Sequence, residues 1–174
     1  MHVNPHETFI SVFPGNSLKG DLGEQNHCQL PGDKSISHRA ALFSALAEGE
    51  SRIQNFQVSG VTRPMLSALT QLGVIWELDG TTLVVQGKGM TQLINPKTPL
   101  GCGNSATTLR LLAGAIAACG LKAILDGSPG LRRRPMARII DPLRQMGVAV
   151  ESENGCAPLS LQPKRMPLLA GNFP

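Results

Sequence analysis

Apolar positions along this chain change their period in a set order, and the order occurs twice. From Ser35 to Ala47 the apolar residues recur at helical spacing, with Ala40-Ala41-Leu42-Phe43 at the centre. Ser51–Phe56 then reads as a short strand. A second helix is predicted from Arg63-Pro64-Met65, where proline suits the first turn, to Gly73. Two alternating stretches follow, Val74–Leu78 and Thr82–Gln86, joined at Asp79-Gly80 as a hairpin would be. The series then restarts: a helix over Ser105–Ala118, a strand over Lys122–Leu125, a helix near Arg134-Pro135-Met136 ending at Gly147, and strands over Val148–Ser152 and Leu159–Gln162 around Asn154-Gly155. Gly49 and Gly120 are placed to cap the first helix of each set. The two first helices are apolar nearly all round, which predicts burial. The strands alternate, which predicts sheets with one wet face. Sheets outside and helices inside is the expected architecture.

The recurrence extends to residue identity. Shifted by 71 positions, Gly32 falls on Gly103, Arg39 on Arg110, Ala47 on Ala118, Gly49 on Gly120, Ile53 on Ile124, and Arg63-Pro64-Met65 on Arg134-Pro135-Met136. Those are eight identities between positions 32 and 65, where chance gives about two or three. Three inserted residues later the match resumes, with Leu69, Leu72, Gly73 and Val74 facing Leu143, Met146, Gly147 and Val148. The repeated unit is β-α-β-α-β-β. The chain divides accordingly into an N-terminal segment (1–28), a first unit (29–100), a second unit (101–162) and a tail (163–174) leading toward a third.

Composition narrows the chemistry. With 41% hydrophobic and 16% charged residues the chain has the makings of a packed core, and with 3% aromatics that core is aliphatic. A net charge of +4 suits an anionic ligand, whereas nucleic acid would call for a steeper charge and more stacking platforms. The four cysteines lie far apart, without zinc or redox spacing, and read as reduced thiols. The most apolar stretch, Leu111–Cys119, is too short to span a membrane, and the start of the chain lacks the basic and apolar runs of a signal peptide.

Candidate binding residues sit at the helix starts. In Leu30-Pro31-Gly32-Asp33-Lys34-Ser35-Ile36-Ser37-His38-Arg39, Gly32 permits a tight turn, Lys34 and Ser35 open a helix, and Arg39 follows one turn later on the same side. Unpaired amides and the positive helix end favour an anion there. A capped helix carrying solvated cations fits the same spacing. Gly103-Asn104-Ser105-Ala106 holds the equivalent place in the second copy, again as an anion site or as an ordinary helix cap. Arg132-Arg133-Arg134 gathers three guanidinium groups ahead of a helix, an unfavourable placement without an anion to neutralise it, although a solvated basic loop fits the run as well.

The Leu30–Arg39 run, Gly103-Asn104-Ser105-x-Thr107, and Leu131-x-x-Arg134-Pro135-Met136 with Asp141-Pro142-Leu143-Arg144-x-Met146-Gly147 together resemble the 5-enolpyruvylshikimate-3-phosphate synthase family over about Leu30–Leu161. The resemblance implies an α/β fold of six such units in two inside-out domains, two units being present in this chain. It implies transfer of the enolpyruvyl group of phosphoenolpyruvate to the 5-hydroxyl of shikimate 3-phosphate in the cytoplasm, with neither metal nor organic cofactor. Lys34 would be the catalytic residue and touch both substrates; Ser35 and Arg39 would hold shikimate 3-phosphate; Asn104, Ala106 and Arg134 would hold phosphoenolpyruvate. A complementary C-terminal portion would be the protein partner, supplying the acid and base groups; membrane and nucleic acid are not implied. Ala106 stands where most of the family carries glycine and resembles the glyphosate-insensitive members. Ser59-Gly60-Val61-Thr62-Arg63 lacks the acidic residues usual at that place. The reading that competes with an enzyme is a non-catalytic module for a phosphorylated metabolite.

Overall fold

The computed structural model describes residues 30–163 and 167–171 of the chain, and the described residues from Pro31 onward cluster as one compact unit. Five helices and seven strands are present among the described residues: α1 (Lys34–Leu46), β1 (Glu48–Ile53), α2 (Arg63–Gln71), β2 (Ile75–Asp79), β3 (Thr82–Lys88), β4 (Leu100–Gly101), α3 (Ala106–Ala118), β5 (Ala123–Asp126), α4 (Pro129–Arg132), α5 (Ala137–Gln145), β6 (Val148–Glu153) and β7 (Cys156–Pro163). The opening strand expected for the first copy, ahead of Pro31, lies outside the described residues.

The strands form two sheets. In the first, β3 lies between β1 and β2, antiparallel to both, with Ser51 facing Val85 and Leu78 facing Leu83. In the second the order is β4-β5-β7-β6; β7 is antiparallel to β5 and β6, and the short β4 runs parallel to β5. Both hairpins are tight. Gly80 takes φ +54° in one, while Asn154 and Gly155 take φ +53° and +73° in the other, the left-handed values that two-residue hairpin loops need. The alternation expected of the strands is present. Leu83 and Val85 of β3, and Ala157, Leu159 and Leu161 of β7, point inward, while their neighbours are more exposed.

Helices α1 and α2 pack on the first sheet, α3 and α5 on the second, and α1 packs against α3, so the helices form the layer between the sheets. The core there is aliphatic: Leu69, Leu83, Leu109, Leu112, Leu125 and Leu159 are fully buried, each contributing roughly 2 kcal/mol from removal of apolar area from water.

Three details differ from the expectation. Helix α3 is buried along most of its length, but α1 leaves Ile36 at 69% and Phe43 at 60% exposure, because only one flank of α1 meets the rest of the unit. Gly49 does not cap α1; the helix ends at Ala47 in extended conformation and Gly49 already lies within β1. Gly120 does cap α3, taking φ +70° and donating to Ala117 O, while Leu121 N–H reaches Ile116 O. Finally, Arg63-Pro64 lies inside the first turn of α2, whereas Arg134-Pro135-Met136 stays outside α5. Both helices are nine residues long, so the three inserted residues are taken up ahead of α5, and that leaves Arg134 on an unwound segment.

Candidate anion-binding site

The start of α1 is fixed by close packing. A Cβ on Gly32 would lie 1.9 Å from Asn55 O and 2.9 Å from Gln57 N, so the turn passes against the 55–57 backbone with no room for any side chain. Ser37 ties the same elements together: its Oγ donates to Asp33 O (2.7 Å) and accepts from Gln57 N–H (2.9 Å). Asp33 caps the helix by accepting Ile36 N–H on its carboxylate (2.8 Å). This carboxylate claims one of the amides that an anion would use and places a negative charge at the positive helix end.

The start of α3 is built differently. Gly103 turns the chain at φ +56°, and its carbonyl accepts Ser128 N–H (2.8 Å). Ser105, a neutral cap, accepts Thr108 N–H (3.1 Å) on its hydroxyl. The Ser128 hydroxyl donates to the carbonyl oxygen of the Asn104 side chain (3.2 Å), which leaves that amide's N–H donors for a ligand.

Between these helix starts lies a hollow of about 330 Å³ lined by Lys34, His38, Val61, Asn104, Ser105, Ala106, Thr107, Arg110 and Arg134. Of the residues singled out from the sequence, Lys34, Asn104, Ala106 and Arg134 therefore meet. Ser35 and Arg39 do not line the hollow. Arg39 is exposed, and its Nη1 folds back to donate to Ser35 O (3.0 Å) on the flank of α1 that also carries Ile36 and Phe43.

The three consecutive arginines separate by role. Arg132 pairs with Asp126 through two hydrogen bonds, its Nε donating to Oδ1 at 2.8 Å. That hydrogen bond, with the Gly127 N–H adding to it, holds the Asp126 carboxyl below its ordinary range against the opposing effect of partial burial. Arg133 is exposed, and Arg134 lines the hollow. Behind them Cys102 is buried, and burial first, then the nearby Asp126 charge, pushes its thiol up to about 12. Such a thiol is a packing group rather than a nucleophile.

His38 and Arg110 line the hollow without having been chosen from the sequence. Arg110 donates from Nη2 to Pro135 O (3.3 Å), next to Arg134, while its buried Nε has no partner. The 71-residue repeat carried the signal, since Arg110 matches Arg39. His38 stood in the quoted run, but nothing local gives away its contacts, which reach to Val61 and Thr108.

Chemically the hollow offers cations (Lys34, Arg110, Arg134), amide donors and hydroxyls, and its lining includes no carboxylate. That is a donor set for phosphate and carboxylate groups.

Comparison with known proteins agrees in kind. A family model described as EPSP synthase (3-phosphoshikimate 1-carboxyvinyltransferase) matches residues 22–169. A 3-phosphoshikimate 1-carboxyvinyltransferase of Coxiella burnetii is 43% identical over 152 residues, covering 86% of this chain and 33% of that protein. One from Desulfitobacterium hafniense is 38% identical over 164 residues, covering 93% of this chain and 36% of its own length. Among solved structures, EPSP synthase from Acinetobacter baumannii superposes with a TM-score of 0.72 at 37% identity, covering 76% of this chain and 30% of that one. The chain spans about a third of the length of the curated relatives it matches.

Proposed function

Because the chain belongs to the EPSP synthase family, we propose that it forms the phosphoenolpyruvate-binding part of a 3-phosphoshikimate 1-carboxyvinyltransferase. The observation that carries this reading is the convergence on one hollow of Lys34 from the start of α1, Asn104 and Ala106 from the start of α3, and Arg134 from the unwound segment ahead of α5. Phosphoenolpyruvate brings a phosphate and a carboxylate; Arg134 and the Asn104 amide hold them, and Lys34 reaches across from α1. Shikimate 3-phosphate lies against the start of α1, with Lys34, Ser35 and Arg39 as its contacts; Arg39 must then release Ser35 O and swing toward it. The oxygen of the 5-hydroxyl bonds to the enolpyruvyl carbon, the bond from that carbon to the phosphate oxygen breaks, and phosphate leaves. The accompanying proton transfers need placed acid and base groups. Since the lining holds no carboxylate, this chain binds, and a complementary C-terminal portion completes the chemistry.

The bare flank of α1 supports that need. Ile36 and Phe43 are exposed there, and Gly114 in the middle of α3 has open space where a side chain would stand. In this reading residues 29–100 and 101–162 are the first two units of a larger domain, and the protein works in the cytoplasm. The test is phosphate release from the two substrates, with the chain alone and with the C-terminal portion of the Coxiella burnetii relative. Release is expected only from the pair; a folded pair that binds phosphoenolpyruvate yet releases nothing would refute the enzyme and leave the binding module.

Ala106 extends the proposal to inhibitor tolerance. It is 7% exposed at the hollow's wall, and its methyl group narrows the space that a ligand longer than phosphoenolpyruvate needs. Within the completed enzyme, Ala106→Gly is expected to raise glyphosate sensitivity at least tenfold, since loss of one methyl-sized obstruction is worth about 1–3 kcal/mol. Equal inhibition of both forms would remove the claim.

A further inference from the structure

The lining of the hollow is polar except at two places. Among the described residues that form it, only Val61 and Ala106 carry no polar side-chain group; the rest supply cations, an amide, an imidazole and hydroxyls. Val61 stands in the turn ahead of α2, and that turn is braced. Thr62 Oγ1 donates to Gln57 O (2.7 Å) and accepts Ser59 N–H (3.0 Å). Val61 O lies 2.9 Å from Nε2 of His38 and 3.4 Å from Oγ1 of Thr108, both of them buried. The carbonyl therefore points into the interior, and the isopropyl group is what Val61 presents to the hollow. The approach to Thr108 also sets it beside the start of α3, where Ala106 stands.

An apolar side chain at this place belongs to the first copy alone. Shifted by 71 positions, Asn55 falls on Asp126 and Val61 on Arg132. In the second copy those two residues form an ion pair, Nε donating to Oδ1 at 2.8 Å, and Arg132 does not line the hollow. In the first copy the loop from Gln57 to Thr62 has no charged residue. The Thr62 hydroxyl and the backbone hold it instead, which leaves position 61 to face a ligand.

We propose that Val61 is a specificity-determining residue. With Ala106 it forms an apolar wall that receives the uncharged carbon end of the anion, so the hollow selects a phosphorylated carboxylate whose third carbon is bare over one that carries a hydroxyl there. This rests on the reading of the hollow as a phosphoenolpyruvate site. Phosphate and carboxylate go to the cations and the amide. The remaining methylene has nothing to bond and gains by leaving water against Val61. A hydroxyl in the same place gives up its bonds to water and meets no donor or acceptor on either apolar side chain, which costs affinity.

Two probes of matched configuration isolate the effect. 2-Phospholactate ends in a methyl group, 2-phosphoglycerate carries a hydroxyl on that carbon, and their phosphate and carboxylate groups are the same. Calorimetric titration of the 174-residue chain is expected to show 2-phospholactate bound about tenfold more tightly, within the roughly hundredfold that an apolar pocket can enforce against an added hydroxyl. Val61→Thr keeps the shape and offers a hydroxyl, so the ratio should move toward parity. Val61→Ala takes away the contact with the methyl group and should move it the same way, by weakening 2-phospholactate several-fold. A role confined to packing the loop would weaken both probes alike and leave the ratio as it was. Equal affinities in the native chain, or a ratio that survives substitution, would overturn the selective wall and leave the anion site standing. A native chain that binds neither probe would overturn the anion-site reading, and the wall with it.

Discussion

The two helix starts that face each other across the hollow descend from the same repeated pattern, yet each is built for a different task. At α1 the turn is closed by contact: Gly32 presses on Asn55 O, and the cap is the Asp33 carboxylate. At α3 the turn is closed by backbone conformation, Gly103 at φ +56°, and the cap is the neutral Ser105 hydroxyl. Around α3 the cations are sorted, with Arg132 neutralised by Asp126 and Arg134 left for the hollow. Around α1, Lys34 reaches the hollow while Arg39 is folded onto Ser35. On electrostatic grounds a helix N-terminus serves an anion only as far as its own cap permits. A neutral cap leaves the positive end available to a ligand; an anionic cap spends part of it on the fold. Under the proposed function the start of α3 is the receptive one, and α1 contributes chiefly through the Lys34 side chain.

The largest effect expected from breaking this contrast comes from the glycines. Gly32→Ala places a methyl group 1.9 Å from a backbone oxygen that cannot give way, so the loss of stability should be about 3 kcal/mol or more. In Gly103→Ala the nearest atom to the new methyl group is Pro64 Cγ at 3.0 Å, and the cost is mainly the left-handed backbone, about 1–2 kcal/mol. Urea unfolding of the two variants gives the order. Equal losses would mean that both turns are closed in the same way.

The caps come next. Ser105→Ala removes the Thr108 N–H acceptor together with a partner of His38, and should cost about 1–2 kcal/mol by the same measurement. Asp33→Asn keeps an acceptor for Ile36 N–H while removing the negative charge. Stability should change by a few tenths of a kcal/mol, and phosphoenolpyruvate should bind several-fold more tightly, because a like charge has left the neighbourhood of the anion. Calorimetric titration reads this directly. Unchanged affinity would show that Asp33 is too well screened for its charge to matter at the hollow.

Much of this could be read in the chain before any coordinates. Apart from the short α4, helix and strand order, both hairpins and the alternating faces of β3 and β7 follow from periodicity and the 71-residue repeat, and the meeting of Lys34, Asn104, Ala106 and Arg134 agrees with what the family resemblance implied. What escaped depends on contacts between distant segments. The bare flank of α1 was hidden because Ala40-Ala41-Leu42-Phe43 looks the same whether or not a neighbour covers Phe43. The unwound Arg134 segment was hidden because the inserted residues could have lengthened the helix rather than displaced its start. His38 was hidden because its partners, Val61 and Thr108, lie 23 and 70 positions away. Arg110 was visible only through its match to Arg39.

The smallest effect concerns the ion pair that anchors the basic loop on the α3 side. Asp126 holds Arg132, and this hydrogen bond lowers the Asp126 carboxyl below its ordinary value near 4. Because the folded value is depressed, the pair's contribution is fully present above about pH 4, where the unfolded carboxyl is ionised too. It is lost as pH falls through the lower folded value. Acid should therefore loosen the α3 side by this route, and Asp126→Asn should remove that part of the pH dependence and lower the neutral-pH melting temperature slightly, toward the value the native chain has in acid. Arg132 is half exposed, so the effect is modest and shrinks with salt. Cys102 reports the same region from inside. With its thiol pushed up to about 12, it should resist alkylation at pH 8 in the folded chain and react on unfolding, as mass spectrometry of the modified peptide would show. If Cys102 became alkylated at pH 8 while the chain stayed folded, the loop carrying Gly103 and Asn104 would be opening readily, and the contrast between a firmly built α3 start and its α1 counterpart would fail.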